Sequence, residues 1–376
     1  MNSKGISVIY SALLILMILS VFYAYMNVSV VPKICENAES VFVDTLISKS
    51  LELVSKSWNV INSGKPSSIY IPLGGHYPII PFFVTPSTYS ATLITYKSEF
   101  MLSGVTYLDA KNSMQDNPTD KIELKGICNL ELRPNTGFIK NYAIKIEYGV
   151  VVICVGDRCY PLRGKILDGD GNIYLQFYKS KETFSVSDVN GLNLKLYPYS
   201  GGIANLPVEL KNAKLILKTS LPKKFWQDYI YDLFNRSFVI SWSYSNGELT
   251  VRLKNGNYVL HAGIVSFGGI GRLNASYLIR VSPPSGREPA DVYVMAKDVL
   301  GNPVPYCKVT FKPDKTEVCF DSSTCYITDK TVYTNGNGIA GAVAKVTSSN
   351  IYGIVVVRLD RSPQAPYDVY FTVWSS

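Results

Sequence analysis

The sequence predicts an apolar amino-terminal helix carrying a mainly-β body in two parts. Three observations point there. No charged residue stands from Ile6 to Pro32, turn pairs punctuate runs of Tyr, Val, Ile and Thr from Gly64 onward, and SPPSGREP at 282–289 divides those runs unequally. With 376 residues, 47% hydrophobic and 18% charged, the chain is too apolar to be disordered and long enough for two or three folded units.

The stretch ISVIYSALLILMILSVFYAYM, starting at Ile6, has about the length a helix needs to cross a bilayer. A buried helix of a soluble domain seldom stays apolar on every face for so long. Lys4 and the terminal amine precede it, so the positive-inside rule places the amino terminus in the cytoplasm and the rest outside. A secretory signal would close on a small-x-small site, yet Phe22 stands two residues before Ala24. Instead, Lys4 is followed at once by Gly5.

That spacing, KGISVIYSALLILMILS at 4–20, resembles the class III leader of archaeal type IV pilins and archaellins. The resemblance implies a leader at 1–5, removed by a prepilin peptidase between Gly5 and Ile6 beside Lys4, and a helix at 6–32 that stays on the mature protein. It also implies the partners: the membrane first, then copies of the chain or other pilins, joined by a pilus assembly platform. The bacterial pattern has Glu at the fifth mature position, where this chain has Tyr10; archaeal members often lack the acid. The rival expectation is a single-pass surface adhesin or accessory protein that never polymerises.

Beyond Pro32, which is expected to bend or separate the two parts, residues 33–64 read as an amphipathic helix. Val43, Ile47, Leu51, Val54, Trp58 and Ile61 recur at steps of three and four, widened by Val41, Phe42 and Leu46. Residues 65–281 then read as a β-rich head. Asn190-Gly191, Asn246-Gly247, Asn255-Gly256 and Asn335-Gly336 mark hairpin turns. Strands are expected at 143–154, 173–178, 192–197, 215–219, 238–244, 249–253 and 277–281. One helix interrupts them, LPKKFWQDYIYDLF at 221–234, with Pro222 near its start and Trp226, Ile230 and Leu233 on one face. The strand LILKTS (215–220) followed by a Trp-bearing helix is an order similar to that of exported archaeal pilin-like proteins.

After the Pro-rich linker, VYVMAKDVLGNPVPYCKVTFKP at 292–313, TVYTNGNGIAGAVAKV at 331–346 and IYGIVVVRLD at 351–360 resemble bacterial immunoglobulin-like repeats of the invasin type. The resemblance implies an immunoglobulin-like β-sandwich over 290–376, a spacer or binding head. Residues 298–303 should form a tight turn, with Val304, Val309 and Phe311 pointing inward. This part has eight Lys and Arg against nine acids from Glu288 onward, so the formal charge of +8 resides upstream. A basic middle domain suits an acidic surface glycan, a cell ligand or a neighbouring subunit, although scattered solubilising lysines are the commoner source of such a charge, and the absence of any Arg-rich run or basic helix argues against nucleic acid as a partner.

Seven cysteines, Cys35, Cys128, Cys154, Cys159, Cys307, Cys319 and Cys325, suit an extracytoplasmic, oxidising compartment. Cys154 with Cys159 and Cys319 with Cys325 are near enough for local bridges, and Cys35 with Cys128 would staple the helix to the head, although spacing leaves the connectivity open. No CxxC spacing supports zinc, and DGDGNIY (168–174) lacks the Gly and Glu of a calcium loop, having Ile173 and Lys179 at those places. FGGIGRLN (267–274) lacks the third glycine of a phosphate loop. No cofactor is expected. Two distant histidines, His76 and His261, give no catalytic constellation, so the chain reads as a non-enzyme. Asn27, Asn235 and Asn274 open N-glycosylation sequons available only on the exported side.

Overall fold

The computed structural model describes residues 3–83, 85–110, 121–188, 190–200, 205–268, 273–314, 318–320, 328–347, 352–360 and 368–375, with the backbone alone at 3–9 and 200. A long apolar helix runs into a mainly-β body that ends in a β-sandwich. Helix α1 spans Ser3–Tyr25 and α2 spans Val31–Ser63. Pro32 does not separate them, because helical turns continue from α1 through Met26–Val30 into α2. In a regular helix its ring would strike the carbonyl four residues back, and it has no N–H to donate. The turn Met26–Val30 is instead a π-turn, in which Val31 N donates to Met26 O five residues back, and that wider turn accommodates the proline. Gly64, at φ 64°, ends α2 in the left-handed conformation that only glycine adopts without penalty.

The buried face of α2 is rotated from the expected stripe. Cys35, Glu39, Phe42, Val43, Leu46, Ser50, Leu53, Val54, Ser57, Val60 and Ile61 are buried, while Val41 is 67% exposed. Hydrophobicity alone could not find this face, because Glu39, Ser50 and Ser57 belong to it. Small serines let the helix lie close to the sheet, and Ser50 satisfies its own hydroxyl by donating to Leu46 O. Gly263 serves the same approach, since a Cβ there would stand 2.4 Å from Ile61.

Among the described residues the head is built on a 14-stranded sheet. Its main path runs Ser67–Ile71, Leu192–Ser200, Gly256–Ser266, Asn205–Lys218, Thr88–Tyr107, Lys121–Asn135, Tyr142–Glu147, Val150–Val155 and Arg158–Arg163. One apolar cluster lies under α2 and a second holds Phe225, Trp226, Ile230 and Leu233 of helix α3, Lys223–Leu233. Val151 joins the first while Val150 and Val152 join the second, the two-residue alternation that puts the clusters on opposite faces.

The expected strand at 143–154 is two strands, Tyr142–Glu147 and Val150–Val155, folded back through Tyr148 at φ 54° and Gly149 at φ 88°. A continuous run of valines and isoleucines hid the turn, which Gly149 alone signals. Inside it, Glu147 is 2% exposed and accepts hydrogen bonds from Thr219 Oγ1 at 2.5 Å, Ser220 N at 3.0 Å and Ser220 Oγ at 2.7 Å. Burial pushes its carboxyl above the ordinary value of 4.5, against the lowering effect of those donors. A raised folded pKa means that the folded state holds the proton more tightly, so stability falls as pH rises from about 4.5 through the folded value. Glu147→Gln is expected to raise stability near neutral pH, the gain vanishing in acid where both side chains are neutral. Urea midpoints measured across pH check this, and a wild type equal to the variant at neutral pH would refute it.

The carboxy-terminal part is a sandwich of two sheets. One orders Tyr277–Arg280, Ala290–Lys297, Ile339–Val346 and Val318–Phe320; the other orders Ser285–Arg287, Val369–Trp374, Tyr352–Leu359, Lys308–Pro313 and Lys330–Tyr333. Val294, Phe311, Val355, Val357 and Phe371 fill the space between them. The turn at 298–303 forms as expected, with Asp298 Oδ1 accepting from Leu300 N and Asn302 N and Gly301 at φ 81°; Val304, Val309 and Phe311 are buried. Two boundaries move. The strand expected to close the head at 277–281 pairs with Ala290–Lys297 and so opens the sandwich. The Pro-rich linker is itself partly strand, Ser285–Arg287 running parallel to Val369–Trp374.

The two parts share a core. Tyr277 and Leu300 of the sandwich belong to the head's second cluster, and Tyr277 stacks on Tyr107 with ring centroids 4.7 Å apart. Tyr107 OH donates to Val299 O at 2.9 Å, and Lys297 pairs with Asp109 at 2.5 Å.

Candidate functional site at the helix–head junction

Every side chain from Tyr10 to Tyr25 is exposed, with Leu13 to Leu19 each more than half uncovered. The continuous helix Tyr10–Ser63 contains one stretch long and apolar enough to cross a membrane. Water does not support such a surface on a free-standing helix; lipid or other helices must cover it. The site that gives this helix its purpose is therefore where it enters the head.

Glu39, one turn above Cys35, is fully buried there. Its Oε1 accepts from Gly137 N at 2.8 Å and Phe138 N at 3.2 Å, and its Oε2 accepts from Phe138 N at 2.9 Å and Ile139 N at 2.7 Å. The Tyr77 hydroxyl donates a further bond to Oε1. Three consecutive backbone N–H groups converging on one carboxylate make an anion nest, here filled by the chain's own helix. Thr136 Oγ1 holds the loop closed by donating to Ile139 O. Burial, then the hydrogen bond to Glu39, pushes the Tyr77 hydroxyl well above its ordinary value, so Tyr77 stays a donor throughout the physiological range.

Around this latch Val31, Cys35 and Tyr77 form a small apolar cluster against which Ala38, Ile80, Phe83 and Tyr89 pack. Tyr77 meets Tyr89 edge-on at 5.0 Å, and Tyr89 meets Phe42 at 4.8 Å. Phe83 reaches further down and stacks on Tyr23 of α1, with centroids 5.3 Å apart. The junction is thus rigid in two directions: a charge-assisted latch at Glu39, and aromatic contacts running towards the membrane segment.

The other expected residues are scattered. Lys4, Gly5 and Ile6 lie in α1, which begins at Ser3, and Tyr10 is exposed on it. Cys154 and Cys159 are bridged across adjacent strands. Cys319 is also disulfide-bonded, while Cys325 lies outside the described residues. The staple expected between Cys35 and Cys128 is not formed. Both are buried thiols, Cys35 in the latch cluster and Cys128 under α2, and the Glu39 nest makes the attachment instead. Burial raises the Cys128 thiol to about 12, which leaves it inert. Cys307 is a thiol directed at Val304 O.

Asp168 in DGDGNIY spends its oxygens on Asp170 N, Asn172 N and Asn172 Nδ2, the bonding of a turn. Of FGGIGRLN, 269–272 lie outside the described residues. His261 stacks on Tyr174 and lies 3.3 Å from Asn172 Oδ1, while His76 is exposed on another strand. Asn274 is exposed, Asn235 is half-buried with its Oδ1 accepting from Ser237, and Asn27 Nδ2 donates to Tyr23 O in the helix. Arg133, Lys140, Lys145 and Lys224 line one open groove of about 1180 Å³ with Glu131 and Asp157. Four of the head's cations are thereby gathered on one surface.

No protein-family model matches the chain, and no curated protein matches it in sequence. Among solved structures it is similar to domains 4 and 5 of the S-layer protein SbsC, at 15% identity and a TM-score of 0.20, over 34% of this chain and 62% of that one. The match thus spans less than two thirds of the S-layer chain. It is also similar to the Ig1–Ig2 structure of DIP-gamma, at 10% identity and a TM-score of 0.18, over 46% of this chain and 90% of that one. Overlaps this weak equate neither fold nor function.

Proposed function

We propose that this chain is a type IV pilin-like subunit of an extracellular cell-surface filament, major, minor or at the tip, working in assembly and adhesion. The observation that carries the reading is the bare apolar helix running without a break into α2, which is fixed to the head through Glu39. A rigid rod ending in a wholly uncovered apolar stretch can exchange lipid for copies of itself, and Ser20 and Ala24, four residues apart, allow close helix approach. The Lys4-Gly5-Ile6 spacing supports processing by a prepilin peptidase. The head and the sandwich then face outward, the cationic groove around Lys140 and Lys224 suiting an acidic surface glycan, and Asn235 and Asn274 open to glycosylation.

The decisive measurement is the amino-terminal sequence and intact mass of protein sheared from native cells. A start at Ile6 in a high-mass sheared fraction is the expected result. A start at Met1, recovered only with detergent, would overturn the filament and leave a single-pass membrane-anchored adhesin that does not polymerise.

A further inference from the structure

The segment from Tyr77 to Tyr96 carries no charge, and its first part packs beside the membrane helix. In the loop 77–83 the side chains divide cleanly. Tyr77, Ile80 and Phe83 face the helix, whereas Ile79 is 91% exposed and Phe82 is 94% exposed. Phe82 is held at φ 68°, a backbone region that a bulky aromatic residue seldom occupies, so the loop turns this ring outward at a conformational cost. Two large apolar groups so fully uncovered within one short loop need a non-aqueous neighbour.

Helix geometry gives their level. Lys33 is the first charge after Lys4, and about 28 uncharged residues at 1.5 Å each match the full thickness of a bilayer with its headgroups. Tyr23 lies ten residues before Lys33, hence about 15 Å deeper, at or below the boundary between headgroups and acyl chains. Phe83 stacks on Tyr23 and so brings the loop to that depth. Glu39 lies six residues beyond Lys33 and stays in the aqueous layer with its nest. The loop backbone tolerates the interface better than most: Pro78 and Pro81 have no N–H to satisfy, and Phe83 N donates to Ile80 O.

We propose that the loop 77–83 is a membrane-interface wedge, inserting Ile79 and Phe82 into the outer leaflet beside the helix. The chain then holds the bilayer at two points, which fixes the rotation of the head about the helix axis as well as its height. The inference rests on the membrane-crossing part of the proposed function and describes the chain while its helix lies in the bilayer, before any assembly into a filament.

The test uses the full chain reconstituted in phosphatidylcholine vesicles carrying bromine at a shallow acyl position. Tryptophan emission is read in Phe82→Trp, in Tyr23→Trp as a marker of the inserted helix, and in Ile240→Trp, 57% exposed on the head sheet, as an aqueous marker. The wild type supplies the background of Trp58, Trp226, Trp242 and Trp374. The expected result is quenching of the added emission in Phe82→Trp to the extent seen in Tyr23→Trp, with protection from aqueous iodide. Iodide quenching of Phe82→Trp alongside lipid quenching of Tyr23→Trp would place the loop in water and overturn the wedge while leaving the helix in the membrane. Protection from both quenchers would mean that protein covers the loop, a second copy for instance, and would overturn it equally. Failure of lipid to quench Tyr23→Trp would remove the membrane crossing itself and the wedge with it.

Discussion

Glu39→Ala is expected to cost about 2–3 kcal/mol and to loosen the helix from the head without unfolding the sheet. The substitution takes one carboxylate from three backbone N–H groups and the Tyr77 hydroxyl, and a donor that has lost a charged partner costs more than a neutral pair contributes. Hydrogen exchange in the detergent-solubilised chain should show amides 137–139 losing protection while strands of the sheet keep theirs. Glu36, exposed three residues earlier on the same helix, is the control. An exchange pattern for Glu39→Ala equal to that of Glu36→Ala would show that the apolar packing of α2 and the aromatic contacts hold the junction without the nest. Glu39→Gln should fall between them, because an amide oxygen still accepts but its NH2 faces donors.

Tyr277→Ala should have the largest effect on stability, about 3–5 kcal/mol, the range for deleting a fully buried aromatic ring. Tyr277 is 0% exposed, stacked on Tyr107, and placed with Leu300 in the core that head and sandwich share. Removing it opens a cavity at the joint and weakens the setting of the Lys297–Asp109 pair. Since the sandwich has its own core of Val294, Phe311, Val357 and Phe371, it should survive separately. Calorimetry should then resolve two transitions in the variant and one coupled transition in the wild type. A single transition, merely shifted, would mean that the sandwich depends on the head for its fold.

Much of the architecture is legible in periodicity. Trp226, Ile230 and Leu233 predict the buried face of α3, and Asn246-Gly247 predicts the turn it forms, at φ 51° and 76°. Where a glycine pair or an apolar spacing is the only signal required, a local reading suffices. The junction is different. Its central group is a glutamate on what a hydropathy reading takes for the polar side of a helix, and its donors come from a loop about a hundred residues later. Charge normally marks a solvated face, so nothing local distinguishes Glu39 from Glu36. The same holds for Tyr277, which reads as the last strand of the head because the Pro-rich segment after it looks like a boundary.

By itself, the sequence determined the uncharged helix and the β-rich body behind it, because each rests on neighbours within a few residues, and it placed Cys154 near enough to Cys159 for the bridge that forms. Only the tertiary structure decided that Pro32 leaves the helix unbroken, that Glu39 rather than a Cys35–Cys128 staple secures it, and that head and sandwich share one core. Those outcomes depend on which distant groups arrive to satisfy a buried carboxylate or cover a ring, and local periodicity carries no record of partners so remote in the chain.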